Sequence, residues 1–243
     1  MSSPRDMGVA PPDGSDGGEP SCCELSASME NYLKALVHLE AHGGPVTTGA
    51  VAARVAVAPP SASAMLRRLR ELGLVTGAPG HEVELSAHGR RHALRVIRRH
   101  RLVETFLAEV LDVPWDEVHA EAERLEHALS PALEDRIAAR LGDPTHDPHG
   151  DPIPPRDGEH DEAWPDPLDA APTGSRFRVE RVSDRDSDAL RYLDDLGVRP
   201  GVLVRVGERD PFGGPLWVEV DGELRALGVP LARLVHGTVE SSD

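Results

Sequence analysis

From Ser26 to Glu40 the apolar positions Met29, Tyr32, Leu33, Leu36, Val37 and Leu39 recur at the spacing of one helix face, and Ser26 or Ser28 stands where a cap is needed. The following stretch, VTTGAVAARVAVAPPSASAMLRRLRELGLV, holds two shorter helical patterns, the second opening near Pro60 and stopping at Gly73. That is the outline of a helix-turn-helix. In LVTGAPGHEVELS two β-prone runs flank a Pro-Gly pair, which predicts a hairpin wing. Residues 87–111 then read as one long helix and 115–141 as one or two more, with a restart at Ser130-Pro131. Beyond residue 175 the period falls from helical to alternating: RFRVERVS, VLVRVGE, LWVEVDG and LARLVHGTV are short strands between Gly/Pro turns, with a single helical pattern, DSDALRYLDDLG. The predicted class is mainly α, with a winged helix-turn-helix at the N-terminal side and a small β-barrel at the C-terminal side.

Composition sharpens the boundaries. A chain of 243 residues with 39% apolar and 28% charged residues holds two or three small domains. It has no apolar run of the roughly 18 residues that a membrane span needs. Residues 1–25, rich in Pro, Gly, Ser and Asp and without a secretory signal pattern, read as a flexible tail, and the expected compartment is the cytoplasm. Cys22 and Cys23 are adjacent in that tail, where neither a disulfide framework nor a zinc ribbon is possible. A net charge of -16 argues against nucleic acid until its distribution is examined. Residues 54–101 carry ten arginines against three acids, a local +7, whereas 142–175 carry nine acids, one arginine and eight prolines. The expected organisation is therefore a DNA-binding unit over 26–98, a helical unit over 99–141, an acidic linker over 142–174 and a barrel over 175–240.

Candidate chemistry concentrates in EVHAEAERLEHALS, residues 117–130. On a helical wheel His119, Glu123, Glu126 and His127 share an arc of about 100° beside the stripe of Val118, Ala122, Leu125 and Leu129. On the preceding long helix His100 and Glu104 lie inside the apolar face formed with Ala93, Ile97, Leu107 and Leu111. A buried carboxylate is costly unless it is paired, protonated or bound to a cation. Plain ion pairs would satisfy either helix alone; two helices carrying six such groups favour a metal site. Carboxylate and imidazole donors without thiolate suit Mn(II), Fe(II), Co(II) or Zn(II).

The expected recognition helix, PPSASAMLRRLREL, starts with the small residues Ser61, Ala62, Ser63 and Ala64, which permit close approach to a major-groove floor. Arg67 and Arg68 follow one turn later, within reach of phosphates. With Thr48 and Pro60 they form the expected DNA-contacting set. A plain amphipathic helix with solvated arginines is the alternative; the hairpin and the local positive field favour DNA.

Taken together, SMENYLKAL, VAPPSASAMLRRLRELGLV, ELSAHGR, RRHRLVETFL, EVHAEAERLEHALS and DPHGDPIP resemble the diphtheria-toxin-repressor family of metal-dependent transcriptional repressors from Ser28 to about Glu240. The resemblance implies a homodimer, a helical dimerisation and metal-binding domain, and a flexibly tethered SH3-like barrel. It implies a primary site of Asn31, Glu123, Glu126 and His127, and an ancillary site of His100, Glu104 and His119, to which the barrel adds Asp186 and where a second barrel ligand is replaced by Ala189. Iron-sensing members carry Cys at the Glu123 position and Met at the Asn31 position, whereas manganese sensors carry Glu and usually Asp. The expected function is a repressor of metal-uptake and homeostasis genes, activated by Mn(II) and bound to a palindromic double-stranded operator, with no membrane partner. The alternatives are an Fe(II)-dependent repressor and, from other classes, a metal-dependent hydrolase or an adaptor whose barrel binds a proline-rich segment, as the eight prolines of the linker suggest; Zn(II) or Co(II) are expected to bind in vitro.

Overall fold

A computed structural model describes residues 25–77, 82–157 and 160–240. Helix α1, Ala27–Ala41, starts where the Ser26 hydroxyl accepts from the Met29 amide at 3.3 Å. Helix α2, Thr48–Arg54, is capped in the same way by Thr47, and α3, Pro59–Glu71, opens on prolines whose fixed φ suits a first turn. Ala62, Leu66 and Leu69 turn inward from α3 and pack with Leu33, Leu36, Val51 and Leu74. The wing is a two-stranded ladder, β1 (Val75–Thr76) against β2 (Glu84–Leu85). Its expected Pro79-Gly80 turn lies outside the described residues, as do Cys22, Cys23 and all of the N-terminal tail but Leu25.

Helix α4, Ala87–Leu111, spans two cores. Ala93 and Ile97 belong to the core of the DNA-binding unit, while Val103 and Leu107 pack against Val118 and Ala122 of α5, Val118–Leu125. The boundary expected near residue 98 therefore falls inside one continuous helix. After α5 the chain tightens into a 3-10 turn, Glu126–Ala128, before α6, Pro131–Leu141, restarts under its Ser130 cap. Leu111 and Leu125, expected in the buried stripes, are 56% and 42% exposed.

The acidic segment is not a free spacer. It has little regular structure, but Asp147, His149, Asp151 and Glu162 are all buried. Arg101 of α4 grips Glu162 with two hydrogen bonds, 2.5 and 2.8 Å, and donates to the Pro152 carbonyl. Arg181 pairs with Asp151 and lies over the Trp164 ring, 3.6 Å from its centroid. Gly150, at φ +85°, brings its backbone so close to the Glu180 carbonyl that a Cβ would collide with it. Composition predicted a linker because the two arginines that neutralise its acids lie far away in sequence.

The segment ends in β3, Asp166–Pro167, the edge of an antiparallel sheet ordered β3-β8-β4-β5-β6-β7. Its other strands are β4 (Arg176–Val182), β5 (Leu203–Arg209), β6 (Leu216–Val220), β7 (Glu223–Leu227) and β8 (Val235–Glu240), with helices α7 (Ser187–Asp195) and α8 (Val229–Ala232). Its core of Phe177, Leu190, Val204, Val218 and their neighbours also takes in Trp115, from the turn between α4 and α5. That ring seats the SH3-like domain against the helices.

Candidate metal centre

The side chains that face α1 and α4 from the 117–130 segment divide into two adjoining groups. In the first, Lys34 of α1 places its Nζ 3.0 Å from Glu123 Oε1 and 2.9 and 3.1 Å from the two oxygens of Glu126. His127 meets the same helix: Nδ1 lies 2.5 Å from Glu30 Oε2, and Nε2 lies 2.8 Å from Asn31 Oδ1 and 3.2 Å from Glu126 Oε1. Arg99 holds the other oxygen of Glu30 at 2.8 Å. With Nδ1 facing a carboxylate, Nε2 is the nitrogen turned toward Asn31 and Glu126, an outer-shell arrangement that fixes a ligating imidazole.

His100 connects the two groups. Its Nδ1 is 2.5 Å from Glu126 Oε2, and its Nε2 is 2.9 Å from Glu104 Oε1 and 3.1 Å from His119 Nδ1. His119 Nδ1 is 3.0 Å from Glu104 Oε1 and 2.9 Å from Asp184 Oδ2. His100, Glu104, His119 and Asp184 offer donor atoms within 4.8 Å of one another, and so do Glu104, Asp147 and His149. These are the metal-like groups of at least three His, Cys, Asp or Glu among the described residues. Glu123, Glu126 and His127 do not form such a group: His127 Nε2 is close to Glu126, while the Lys34 ammonium lies between Glu126 and Glu123.

A divalent cation fits the chemistry of this centre. Glu104 Oε2, Asp147 Oδ2 and His149 Nδ1 are buried without a hydrogen-bond partner, Asp147 Oδ2 having only Arg101 Nε at 3.9 Å. His149 Nε2 donates to the Trp115 carbonyl at 2.8 Å, which leaves the Nδ1 lone pair facing the carboxylates. Oxygen and imidazole donors orphaned in one place are what a cation satisfies.

Electrostatics are strongly perturbed. Burial opposes charge on His119, yet its hydrogen bonds to Asp184 and Glu104 push its pKa up to about 11. Burial likewise opposes the Glu126 carboxylate, but the His100 hydrogen bond and the Lys34 charge bring it down to about 2. Burial, followed by the charge of Glu104, pushes Asp147 up to about 8.

Residues 24–82 match the iron dependent repressor N-terminal DNA binding domain, 86–155 the iron dependent repressor metal binding and dimerisation domain, and 167–238 the FeoA domain. The iron-dependent repressor IdeR of Mycobacterium tuberculosis is 37% identical over 205 residues, covering 79% of this chain and 88% of the relative. The chain belongs to the iron-dependent repressor family. The diphtheria toxin repressor of Corynebacterium diphtheriae is 30% identical over 197 residues, 77% of this chain and 87% of that one. Among solved structures, a manganese-dependent transcriptional repressor in complex with manganese is 41% identical at a TM-score of 0.81, covering 87% of this chain and 100% of that one. ScaR with bound Zn2+ is 30% identical at a TM-score of 0.74, over 86% and 98%. The family consists of metal-dependent transcriptional repressors rather than enzymes, and no described helix here is long and apolar enough to cross a membrane.

On this family frame, α3 exposes Pro60, Ser61, Ser63, Arg67 and Arg68, whereas Thr48 is half-buried. Ala62 is fully buried and serves the core, not a groove. Much of the local positive charge is directed inward: Arg98 pairs with Glu134, Arg99 with Glu30 and Arg101 with Glu162. Asn31 meets His127, but Asp186 does not reach the His119 group. Its carboxylate caps α7, accepting from the amides of Asp188 and Ala189 at 3.0 and 3.1 Å, and Asp184 takes the place beside His119. Asp184 and Asp186 both stand within three residues of Ser187, where α7 begins, and Asp is a good cap at either place, so local sequence does not choose between them. Glu30, Lys34, Asp147 and His149 were missed. Glu30 and Lys34 flank Asn31 on α1, and DPHGDPIP carries two of the missed groups, so a search for donors across that loop would have found them.

Proposed function

We propose that this repressor is activated by Mn(II) and controls metal-uptake and homeostasis genes as a homodimer on a palindromic operator. The observation that carries the choice of metal is the donor set at the junction of α1 with the 117–130 segment: Asn31, Glu123, Glu126 and His127 offer oxygen and imidazole, with no sulfur among them. Hard oxygen donors suit Mn(II), and the manganese complex quoted above is the relative with the higher identity. Asn31, Glu123, Glu126 and His127 would hold the primary ion; His100, Glu104, His119 and Asp184, with Asp147 and His149 across the shared Glu104, would hold the ancillary one.

When bound, the metal supplies positive charge that ties donors of α1 to donors of the dimerisation helices. The rest belongs to the chain. Glu30 and Arg99 orient His127. His100 joins Glu126 to the ancillary group, so the state of one site is felt at the other. Because α1 shares its core with α3, fixing α1 also fixes the recognition helix, and the geometry that fits two successive major grooves is favoured. Leu111, Leu125 and Leu133, exposed by 56%, 42% and 47% on the helical unit, supply apolar surface for the second copy.

The test is fluorescence anisotropy on a duplex selected from a random library, in chelated buffer and then with Mn(II) or, anaerobically, Fe(II). The expected result is an operator affinity at least about tenfold higher with Mn(II). Equal affinity with and without metal contradicts the mechanism, and a response to Fe(II) alone transfers the role to iron.

A further inference from the structure

Lys34 is the only lysine in a chain whose other basic residues, histidine aside, are all arginine. It stands on α1, three residues after Asn31, and its ammonium lies between Glu123 and Glu126 at 2.9 to 3.1 Å from three of their oxygens. Glu126 is almost fully buried, its side chain 1% exposed, while the Lys34 side chain is 20% exposed. A lysine ammonium is a compact point charge on a flexible stem, so among side chains it comes nearest to a metal ion in shape and charge. An arginine fork is too broad for such a role.

We propose that Lys34 is the resident cation of the primary site: it neutralises Glu123 and Glu126 in the metal-free protein and must withdraw before metal binds, so that it sets the metal concentration at which the repressor responds. The proposal rests on the assignment of the primary site above. A divalent ion binds carboxylate oxygens at about 2.0–2.2 Å, inside the volume the ammonium fills, so the two cations exclude each other. Without any cation the buried Glu126 carboxylate would stand beside the half-exposed Glu123 with no counter-charge from α1, so the lysine stabilises the metal-free site. It also has somewhere to go. A cavity of about 560 Å3, lined by Asn31, Lys34, His119, Glu123, Arg54 and Arg185, opens beside it.

Because there is no second lysine, the Lys34 peptide reports on a single ε-amine, apart from the α-amine at the chain's N-terminus. Full-length protein is treated with formaldehyde and a borohydride reagent, with and without Mn(II), and modification of the Lys34 peptide is followed by mass spectrometry. The expected result is slow modification in chelated buffer and a several-fold faster rate with Mn(II). Equilibrium dialysis of Lys34→Met should show Mn(II) bound about tenfold more tightly than by the parent, and the metal-free variant should melt at a lower temperature. A purely structural lysine would lower the melting temperature without tightening metal binding. Unchanged reactivity together with unchanged Mn(II) affinity in Lys34→Met overturns the proposal. Mn(II) binding that survives Glu126→Gln undiminished overturns the site assignment instead, which keeps the two failures apart.

Discussion

At Glu126 one buried carboxylate serves Lys34, His100 and His127 together, so its loss strands three cationic or ring partners. Glu126→Gln should cost the metal-free fold about 3 kcal/mol, read from denaturant melts, and abolish primary-site metal binding. Glu30→Gln deprives the largely buried Arg99 of its counter-charge, so it should cost the fold about 2 kcal/mol, and it should weaken metal affinity about tenfold or more, because His127 loses the carboxylate that orients it. The titrations carry signs of their own. His119 is raised from 6.5 to about 11, so the stability it contributes is complete below pH 6.5 and is lost as pH climbs through about 11. Glu126 is depressed from 4.5 to about 2, so its contribution is complete above pH 4.5 and lost as pH falls through about 2. Metal must also displace the His119 proton, so affinity at the ancillary group should rise with pH; calorimetry in buffers of different ionisation heat would detect the released proton. Residue identity was legible where a charge sat inside an apolar stripe, as with His100 and Glu104. It was not legible for Asp184 against Asp186, since that choice depends on which acid α7 needs as its cap.

Among the elements, the segment that composition marked as a linker is the least expected. Eight prolines and nine acids predicted the absence of helix and strand, and that much holds over most of its length. What the composition could not carry is that Arg101 and Arg181 bury its acids and that Gly150 touches β4. Gly150→Ala should therefore loosen the segment from the barrel and lower the melting temperature by several degrees, with a loss of about 2 kcal/mol or more, since a positive φ and a backbone collision add together. Asp147→Ala combined with His149→Ala should lower the number of ions bound per chain while sparing the primary site, as counted by equilibrium dialysis. The 3-10 turn at Glu126–Ala128 is a similar case: a uniform wheel put His119 on one arc with His127, but the structure sends His119 to Glu104 and Asp184 and His127 to α1.

For the whole molecule, the order of helices, wing and strands followed from periodicity and caps, because each of those signals is local. The seating of the parts did not, because it depends on single long-range contacts. Trp115, which periodicity places only at the start of the helical stretch 115–141, is part of the barrel core. Trp115→Ala should cost about 3 kcal/mol and free the barrel from the helices, visible as a larger radius in small-angle scattering. On the DNA side, Arg67→Ala should weaken operator binding across sequences and flatten its salt dependence, as expected for a phosphate contact. The central claim is that α1 and the 117–130 segment enclose a metal ion. Anomalous scattering from a crystal grown with Mn(II) tests it most directly. The account predicts a manganese peak in contact with Asn31, Glu123, Glu126 and His127, with the Lys34 ammonium withdrawn; a junction still closed by Lys34, with no peak there, would contradict it.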